Sequence, residues 1–331
     1  MGKSRWMTQS ARLLRWRQDY NREIAMIYTV TTNPNIDYYM TFTKPATLGE
    51  INRAASESCF PGGKGVNVSI MLSRLGVKNR ALGFTAGFVG QMLERMLRSE
   101  GCACDFVRLN AGETRINVKL TGQNETAFNG KGPAIDDEAA QVLLARLDGL
   151  TADDILVLSG NLQSSAGNLF MQLMEKAASC GAALAVDTEG EALRSALRYR
   201  PLLVKPNREE LGALLGRSLD SIQAVTSAAR ELQAAGAQNV LVSMGGDGAL
   251  LLSRDGVCRR VETAAQGTVV STVGAGDSMV AGFLAELCET GDSAQALRLG
   301  AAAGTATAFS PVLADASMVE RILPQIHVQT L

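Results

Sequence analysis

The stretch Thr268-Val-Val-Ser-Thr-Val-Gly-Ala-Gly-Asp-Ser-Met-Val-Ala-Gly-Phe-Leu284 decides the fold. A β-branched run leads into a small-residue turn, and a helix opens with an aspartate in its first turn. Met279, Val280, Phe283, Leu284 and Leu287 recur at helical spacing and give that helix a buried face. Gly274, Ala275 and Gly276 carry little or no side chain, so backbone N–H groups there can approach a ligand closely. Unpaired N–H groups at a helix start attract anions. Asp277 sets a carboxylate beside that hole. Phosphoryl transfer to an alcohol needs this pair of features, because positioning and charge neutralisation supply most of the catalysis. A strand–helix turn in which Asp277 serves only the helix dipole is the structural alternative.

Competing nucleotide motifs are absent. The G-x-G-x-x-G fingerprint would need glycine where Met279 stands. A Walker A loop ends in G-K-S/T, but Gly63-Lys64 is followed by Gly65, and Gly130-Lys131 by Gly132. Gly2-Lys3-Ser4 has no glycine-rich loop before it.

The 331 residues suffice for one large α/β domain, alone or with a small appendage. Net charge is −1, from 32 basic and 33 acidic side chains, so no global field recruits nucleic acid or an anionic membrane. No apolar stretch approaches the roughly 18 residues of a membrane span. Neither kind of partner is expected. The lone histidine, His327, argues against Ser-His-Asp catalysis and multi-histidine metal sites. Six cysteines form no C-x-x-C pair, and without a secretory signal they read as reduced thiols of a cytoplasmic protein. Residues 1–25 hold six basic residues against Asp19 and Glu23 and lack the apolar core of a signal peptide. The first strand-like run starts at Met26. Residues 1–25 therefore read as a disordered arm or an upstream start-site artefact, and 26–331 as the folded unit.

Met26–Thr32 is rich in β-formers and stops at the turn signal Asn33-Pro34. Helical patterns follow at Val66–Leu75 and Gln91–Ser99, with a short strand near Arg80–Thr85 between them. From Asp154 the chain alternates. Ile155–Leu158, Ala182–Val186, Leu202–Val204 and Val240–Val242 are short apolar runs, as expected of strands covered on both faces. Helical patterns around 166–180, 208–215 and 221–236 separate them. This alternation implies a doubly wound, mainly parallel α/β sheet whose ligands sit beyond the carboxyl ends of the strands. Polar or special residues stand at those ends: Asn33, Ser159, Asp187, Lys205, Ser243 and Gly274. Two segments, about 36–57 and 105–130, contain β-formers with little helical periodicity. Within the second, Arg115, Asn117 and Lys119 face one way and Ile116, Val118 and Leu120 the other. The two segments are expected to pair into a small sheet whose apolar face needs cover from the domain below or from a second subunit.

Several clusters could do chemistry on that rim. Pro61-Gly-Gly-Lys-Gly-Val-Asn67 opens a helix with glycines that admit a hydroxylated or phosphorylated ligand, and Asn67 can donate and accept hydrogen bonds. Asp37 could grip two sugar hydroxyls, or simply end a turn. Arg115 and Lys119 suit a phosphate, the first as a planar fork and the second as a point charge; a solvated edge strand would look the same. Asn207 and Glu210 share a helix face and could order magnesium-bound waters, or form a capping box. Ser243-Met-Gly-Gly-Asp-Gly-Ala249 is a glycine turn able to pass close to a nucleotide.

Together and in this order, Asn33-Pro-Asn-Ile-Asp37, Gly62-Gly-Lys-Gly-Val-Asn67, Ser159-Gly160, Lys205-Pro-Asn207 with Glu210, Ser243-Met-Gly245 and Gly274-Ala-Gly-Asp-Ser278 resemble the ribokinase-like, PfkB-type carbohydrate kinases over nearly all of 26–325. Glu113-Thr-Arg-Ile-Asn-Val-Lys-Leu120 is most similar to the 1-phosphofructokinase branch, with tagatose-6-phosphate kinases next. The resemblance implies a ribokinase-like α/β sheet with a small β-sheet lid. It implies ATP- and Mg2+-dependent phosphorylation of D-fructose 1-phosphate at its 6-hydroxyl, giving fructose 1,6-bisphosphate and ADP. Tagatose-6-phosphate kinase or 6-phosphofructokinase activity is the nearby alternative. A non-catalytic sugar-phosphate-binding regulator is the distant one, and retention of Asp277 speaks against it.

By the same resemblance Asp277 would accept the hydroxyl proton, and Gly274, Ala275 and Gly276 would hold the charge on the transferred group. Asp37, Gly63 and Asn67 would orient the sugar, with Ser159 on the same side. Arg115 would hold the existing phosphate, assisted by Lys64 or Lys119. Lys205, Asn207, Ser243, Gly245 and Gly248 would line the nucleotide region, with Glu210 toward the metal. The lid would close on sugar and supply a homodimer contact. The chain departs from the family in Ser159-Gly-Asn-Leu-Gln163, where Ser-Gly-Ser-Leu-Pro is usual, in Met244 for leucine, and in Pro311-Val-Leu-Ala314 near the base.

Overall fold

The computed structural model describes residues 26–122, 125–160, 168–262 and 265–331. Residues 1–25, and Asn161 and Gln163 of the departing Ser-Gly motif, lie outside the described residues. The strands are β1 (Ile27–Thr31), β2 (Asn35–Thr41), β3 (Ser56–Gly62), β4 (Asn79–Ala86), β5 (Ala103–Leu109), β6 (Arg115–Thr121), β7 (Thr126–Asn129), β8 (Ile155–Ser159), β9 (Ala183–Asp187), β10 (Leu203–Val204), β11 (Asn239–Ser243), β12 (Ala249–Leu252), β13 (Cys258–Val261) and β14 (Val328–Thr330). The α-helices are α1 (Lys64–Arg74), α2 (Gly87–Ser99), α3 (Asp137–Ala145), α4 (Leu169–Cys180), α5 (Gly190–Ala196), α6 (Arg208–Leu215), α7 (Ile222–Ala234), α8 (Ala275–Thr290), α9 (Ser293–Ala308) and α10 (Ala316–Ile322).

Ten strands form one sheet in the order β14-β13-β12-β11-β10-β9-β8-β1-β4-β5. It is parallel from β11 to β5 and antiparallel from β11 to β14. The continuous apolar runs follow from its two covered faces. Leu156 and Leu158 join the core under α3, α4 and α7, while Ile155 and Val157 join the one under α1, α8 and α9. Successive side chains on a strand point to opposite faces, so a strand buried on both sides tolerates no polar alternation.

The smaller sheet has the order β3-β2-β6-β7, with β2 and β6 parallel and in register Asn35↔Arg115 through Thr41↔Thr121. Asp37, Asn117 and Lys119 on these strands are buried, whereas Ile116 and Phe128 are 39% and 53% exposed. The polar side of β6 therefore faces inward and apolar side chains face out.

Two expectations need correction. The segment expected to join the small sheet from residue 105 begins there with main-sheet residues: β5 pairs with β4, placing Phe106 opposite Gly83 and Val107 opposite Phe84. Phe106 and Val107 are buried, and that burial outweighs the local pattern. The β-branched run before Gly274 forms no strand either. Val269, Val270 and Val273 are exposed, and the amides of Val270 and Ser271 both reach the Ala308 carbonyl. β propensity needs a neighbouring strand to express it, and here a helix end takes that place.

Candidate active site

Because β8, β9, β10 and β1 are parallel neighbours, their carboxyl ends share one rim, and α8 begins there. Gly274 caps α8 at φ 77°, a left-handed conformation that glycine adopts without a Cβ penalty. The helix starts with the Ser278 amide donating to the Gly274 carbonyl at 2.8 Å. Of the three small residues expected to bind an anion, Ala275 has its amide engaged by the Thr272 carbonyl at 3.2 Å. The amides of Gly276 and Asp277 meet no acceptor among the described residues, as a helix's first turn leaves its donors open. Lys205 closes over this turn, since a Cβ on Gly276 would lie 3.2 Å from its Nζ. The 311–314 loop packs on the other side: Leu313 stands against Gly274, and Arg74 of α1 donates to the Leu313 and Ala314 carbonyls.

Asp277 is 6% exposed, and Asn67 of α1 donates through Nδ2 to its Oδ2 at 2.8 Å. Burial pushes its carboxyl up to about 6, with the negative charge of Asp187 adding to the effect. The Asn67 hydrogen bond, Lys205 and Lys64 oppose the rise. A carboxylate near neutrality is a better proton acceptor than an ordinary one. Protonation would remove the acceptor, so kcat/KM is expected to fall tenfold per pH step below about 6. A pH–rate profile of the full chain checks this; a flat profile down to the ordinary aspartate range would contradict it.

On the side of the small sheet, Asp37 is tightly furnished. Its Oδ1 accepts from Asn35 Nδ2 at 2.9 Å and Asn117 Nδ2 at 3.2 Å, and Lys119 Nζ lies 3.4 Å from Oδ2. Lys119 also donates to the Tyr39 hydroxyl at 3.2 Å and sits over its ring. Arg115, two residues before Asn117 on β6, has a buried Nε without a partner, and burial lowers its guanidinium from the ordinary value. Ser159, 7% exposed at the end of β8, has an unpartnered hydroxyl. Gly63 caps α1 without a side-chain bond. Lys64, expected to assist Arg115, instead has its ammonium 3.6 Å from Asp187 Oδ1.

Buried polar atoms without hydrogen-bond partners concentrate here. Six of the eight among the described residues belong to Thr31, Arg115, Asn117, Ser159 and Asp187. Such atoms are costly unless a ligand meets them. Asp187, the last residue of β9, was legible only as a polar residue ending an apolar strand.

On the remaining side, Asn207 and Glu210 form a full capping box on α6: Asn207 Oδ1 accepts from the Glu210 amide at 2.7 Å, and Glu210 Oε2 from the Asn207 amide at 2.9 Å. Asn207 pairs by a parallel bridge with Ser243, which brings the glycine turn alongside. Gly245 begins that turn, and the Met244 amide reaches the Gly248 carbonyl at 2.9 Å. Gly248 has φ 87°, and a Cβ there would stand 1.9 Å from the Val261 carbonyl oxygen. Gly248→Ala is expected to lower the chemical-denaturation stability by about 2 kcal/mol or more, from combined backbone strain and clash. An unchanged midpoint would show that the turn relaxes freely.

The capping box leaves one Glu210 oxygen uncommitted, and no cluster of three acidic, histidine or cysteine side chains occurs among the described residues. That donor set suits magnesium, which keeps several waters and leans on substrate phosphates, and not a cation needing a protein cage.

A family model described as pfkB family carbohydrate kinase matches residues 30–317. The chain is 40% identical over 307 residues to 1-phosphofructokinase of Bacillus subtilis (strain 168), spanning 92% of this chain and 100% of the relative. It is 38% identical over 309 residues to D-tagatose-1-phosphate kinase of Bacillus licheniformis, with 92% and 100% covered. The crystal structure of phosphofructokinase-2 from Escherichia coli in complex with substrates and products has a TM-score of 0.84 at 30% identity, over 91% of this chain and 99% of that one. No helix among the described residues is long and apolar enough to cross a membrane. The chain thus belongs to the pfkB family of carbohydrate kinases and is an ATP-using phosphotransferase.

Proposed function

We propose that the enzyme transfers the γ-phosphoryl group of ATP to the 6-hydroxyl of D-fructose 1-phosphate, giving fructose 1,6-bisphosphate and ADP. The observation that carries the reading is the buried Asp277 carboxylate, oriented by Asn67, beside the open amides of Gly276 and its own residue. Asp277 accepts the hydroxyl proton while the sugar oxygen bonds to γ-phosphorus and the bond to ADP breaks. The amides, with Lys64 and Lys205 nearby, offset the charge on the migrating group. Asp37, held by two asparagines and Lys119, accepts from sugar hydroxyls, and Asn67 and Ser159 complete that side. Arg115 takes the 1-phosphate with its free guanidinium edge. The nucleotide lies along Lys205, Asn207, Ser243, Gly245 and Gly248. Magnesium would be carried by the nucleotide phosphates with Glu210 on its water shell, neutralising phosphate charge.

The small sheet of β2, β3, β6 and β7 acts as a lid over the sugar. Its outward Ile116 and Phe128 support burial against the same sheet of a second copy, a homodimer. Six unpaired cysteines suit a reducing cytoplasm. D-tagatose 1-phosphate is the second reading, favoured by the relative of that name; it carries its phosphate at the same carbon as fructose 1-phosphate. ADP release measured over fructose 1-phosphate, tagatose 1-phosphate, fructose 6-phosphate, tagatose 6-phosphate and unphosphorylated sugars tests the assignment. The highest kcat/KM is expected for fructose 1-phosphate. A preference for a 6-phosphate would overturn the placement of Arg115.

A further inference from the structure

We infer that Asp187 is a positioning residue for phosphoryl transfer: its buried carboxylate is the shared counter-ion that holds Lys64 and Lys205, from two different elements, beside Asp277. The inference rests on the kinase reading above and assigns a role to a residue that the sequence marked only as a strand end.

Asp187 is 2% exposed, and its Oδ1 lies 3.6 Å from Lys64 Nζ and 3.3 Å from Lys205 Nζ. Neither carboxylate oxygen has a hydrogen-bond partner. A carboxylate removed from water normally collects N–H or O–H donors, so one held only by two loose ion pairs is unusual. A bridge kept for stability would be shorter and saturated with hydrogen bonds. Here each ammonium retains donors for a second anion.

The surroundings say where that anion goes. Lys205 is buried at the end of β10 with its Nζ over Gly276, at the open amides of α8. Lys64 is 42% exposed at the first residue of α1, so it can follow a moving charge. Two ammonium groups drawn to one site repel each other, and an anion between their attachments offsets that repulsion whether or not phosphate is present. Asp187 also reaches Asp277 electrostatically and keeps its carboxyl basic. The charged or polar groups facing Asp277 are Asp187 from β9, Lys205 after β10, and Lys64 and Asn67 from α1. Asp187 is the sole negative charge among these four. Removing it leaves two positive charges to drain the basicity of the proton acceptor.

The test is Asp187→Asn in the full chain, with steady-state kinetics on ATP and fructose 1-phosphate between about pH 5 and 8. The expected kcat loss is about tenfold or more, with the acid limb of kcat/KM moved to lower pH, because the negative charge that raised Asp277 is gone. In a Lys64→Met background the same substitution should cost less than it does alone, since both act through one ammonium. Wild-type kcat, or a loss with the acid limb unmoved and full additivity with Lys64→Met, would overturn the inference. Circular dichroism establishes folding, and Asp187→Ser carries the same readouts where the asparagine variant does not fold. Failure of the unsubstituted enzyme to phosphorylate any sugar would strike the kinase reading instead.

Discussion

Asp277→Ala lowers kcat by about 100-fold or more while the KM values for sugar and ATP stay within about threefold of the parent; this is the loss expected on removing a general base. The reason is positional. Asp277 reaches the rim on the first turn of α8, where Asn67 fixes one oxygen at 2.8 Å, and the open amides bind charge without it. A kcat near the parent value would remove Asp277 from proton transfer. The same residue carries a stability signature of defined sign. Its folded carboxyl stands at about 6 against an ordinary 3.8, so between those values the folded chain binds the proton more readily than the unfolded one. Ionisation above about 6 therefore costs stability, and the cost disappears as pH falls through that window. Asp277→Asn, which stays neutral, is expected to raise Tm at pH 7.5, by at most about 3 kcal/mol of stability at about 1.4 per pH step. A drop in Tm would mean that the lysines stabilise the carboxylate more than burial destabilises it.

Arg115→Ala raises KM for the phosphorylated sugar by about 10- to 100-fold, the loss of roughly 1.5–3 kcal/mol from charge-assisted hydrogen bonds. KM for ATP should not move. The prediction follows from a buried guanidinium nitrogen that has no partner, placed on β6 directly opposite Asn35 and two pairs along from Asp37 on β2. Arg115→Lys should restore only part of the affinity, since an ammonium cannot reproduce a planar fork. An effect confined to ATP would move Arg115 out of the sugar side.

Which parts of this could be read in advance depends on the range of the forces involved. The strand at Ile155–Leu158 was legible because burial on both faces demands an unbroken apolar run, and the helix after Gly274 because glycine and Asp277 mark its start. The run Val269–Val273 misled because β-branched residues signal a strand only when another strand lies beside them. The edge of the main sheet, Ala103–Leu109, was hidden for a related reason: its pairing with β4 depends on residues some twenty positions earlier. Lys119 read as a phosphate ligand, yet its contacts go to Asp37 and Tyr39, across β2.

The alternating α/β architecture, the polar rim and the carboxylate at the glycine turn are local information, because helix periodicity, strand burial and turn chemistry are all written within about twenty residues. The folded chain alone reveals that Lys64 pairs with Asp187, that Ala275 has no free amide, and that Asn67 holds Asp277 across 210 positions of chain. Those facts rest on contacts between side chains from separate elements, and a buried charge finds its partner through space, in a medium where a few ångströms set the energy.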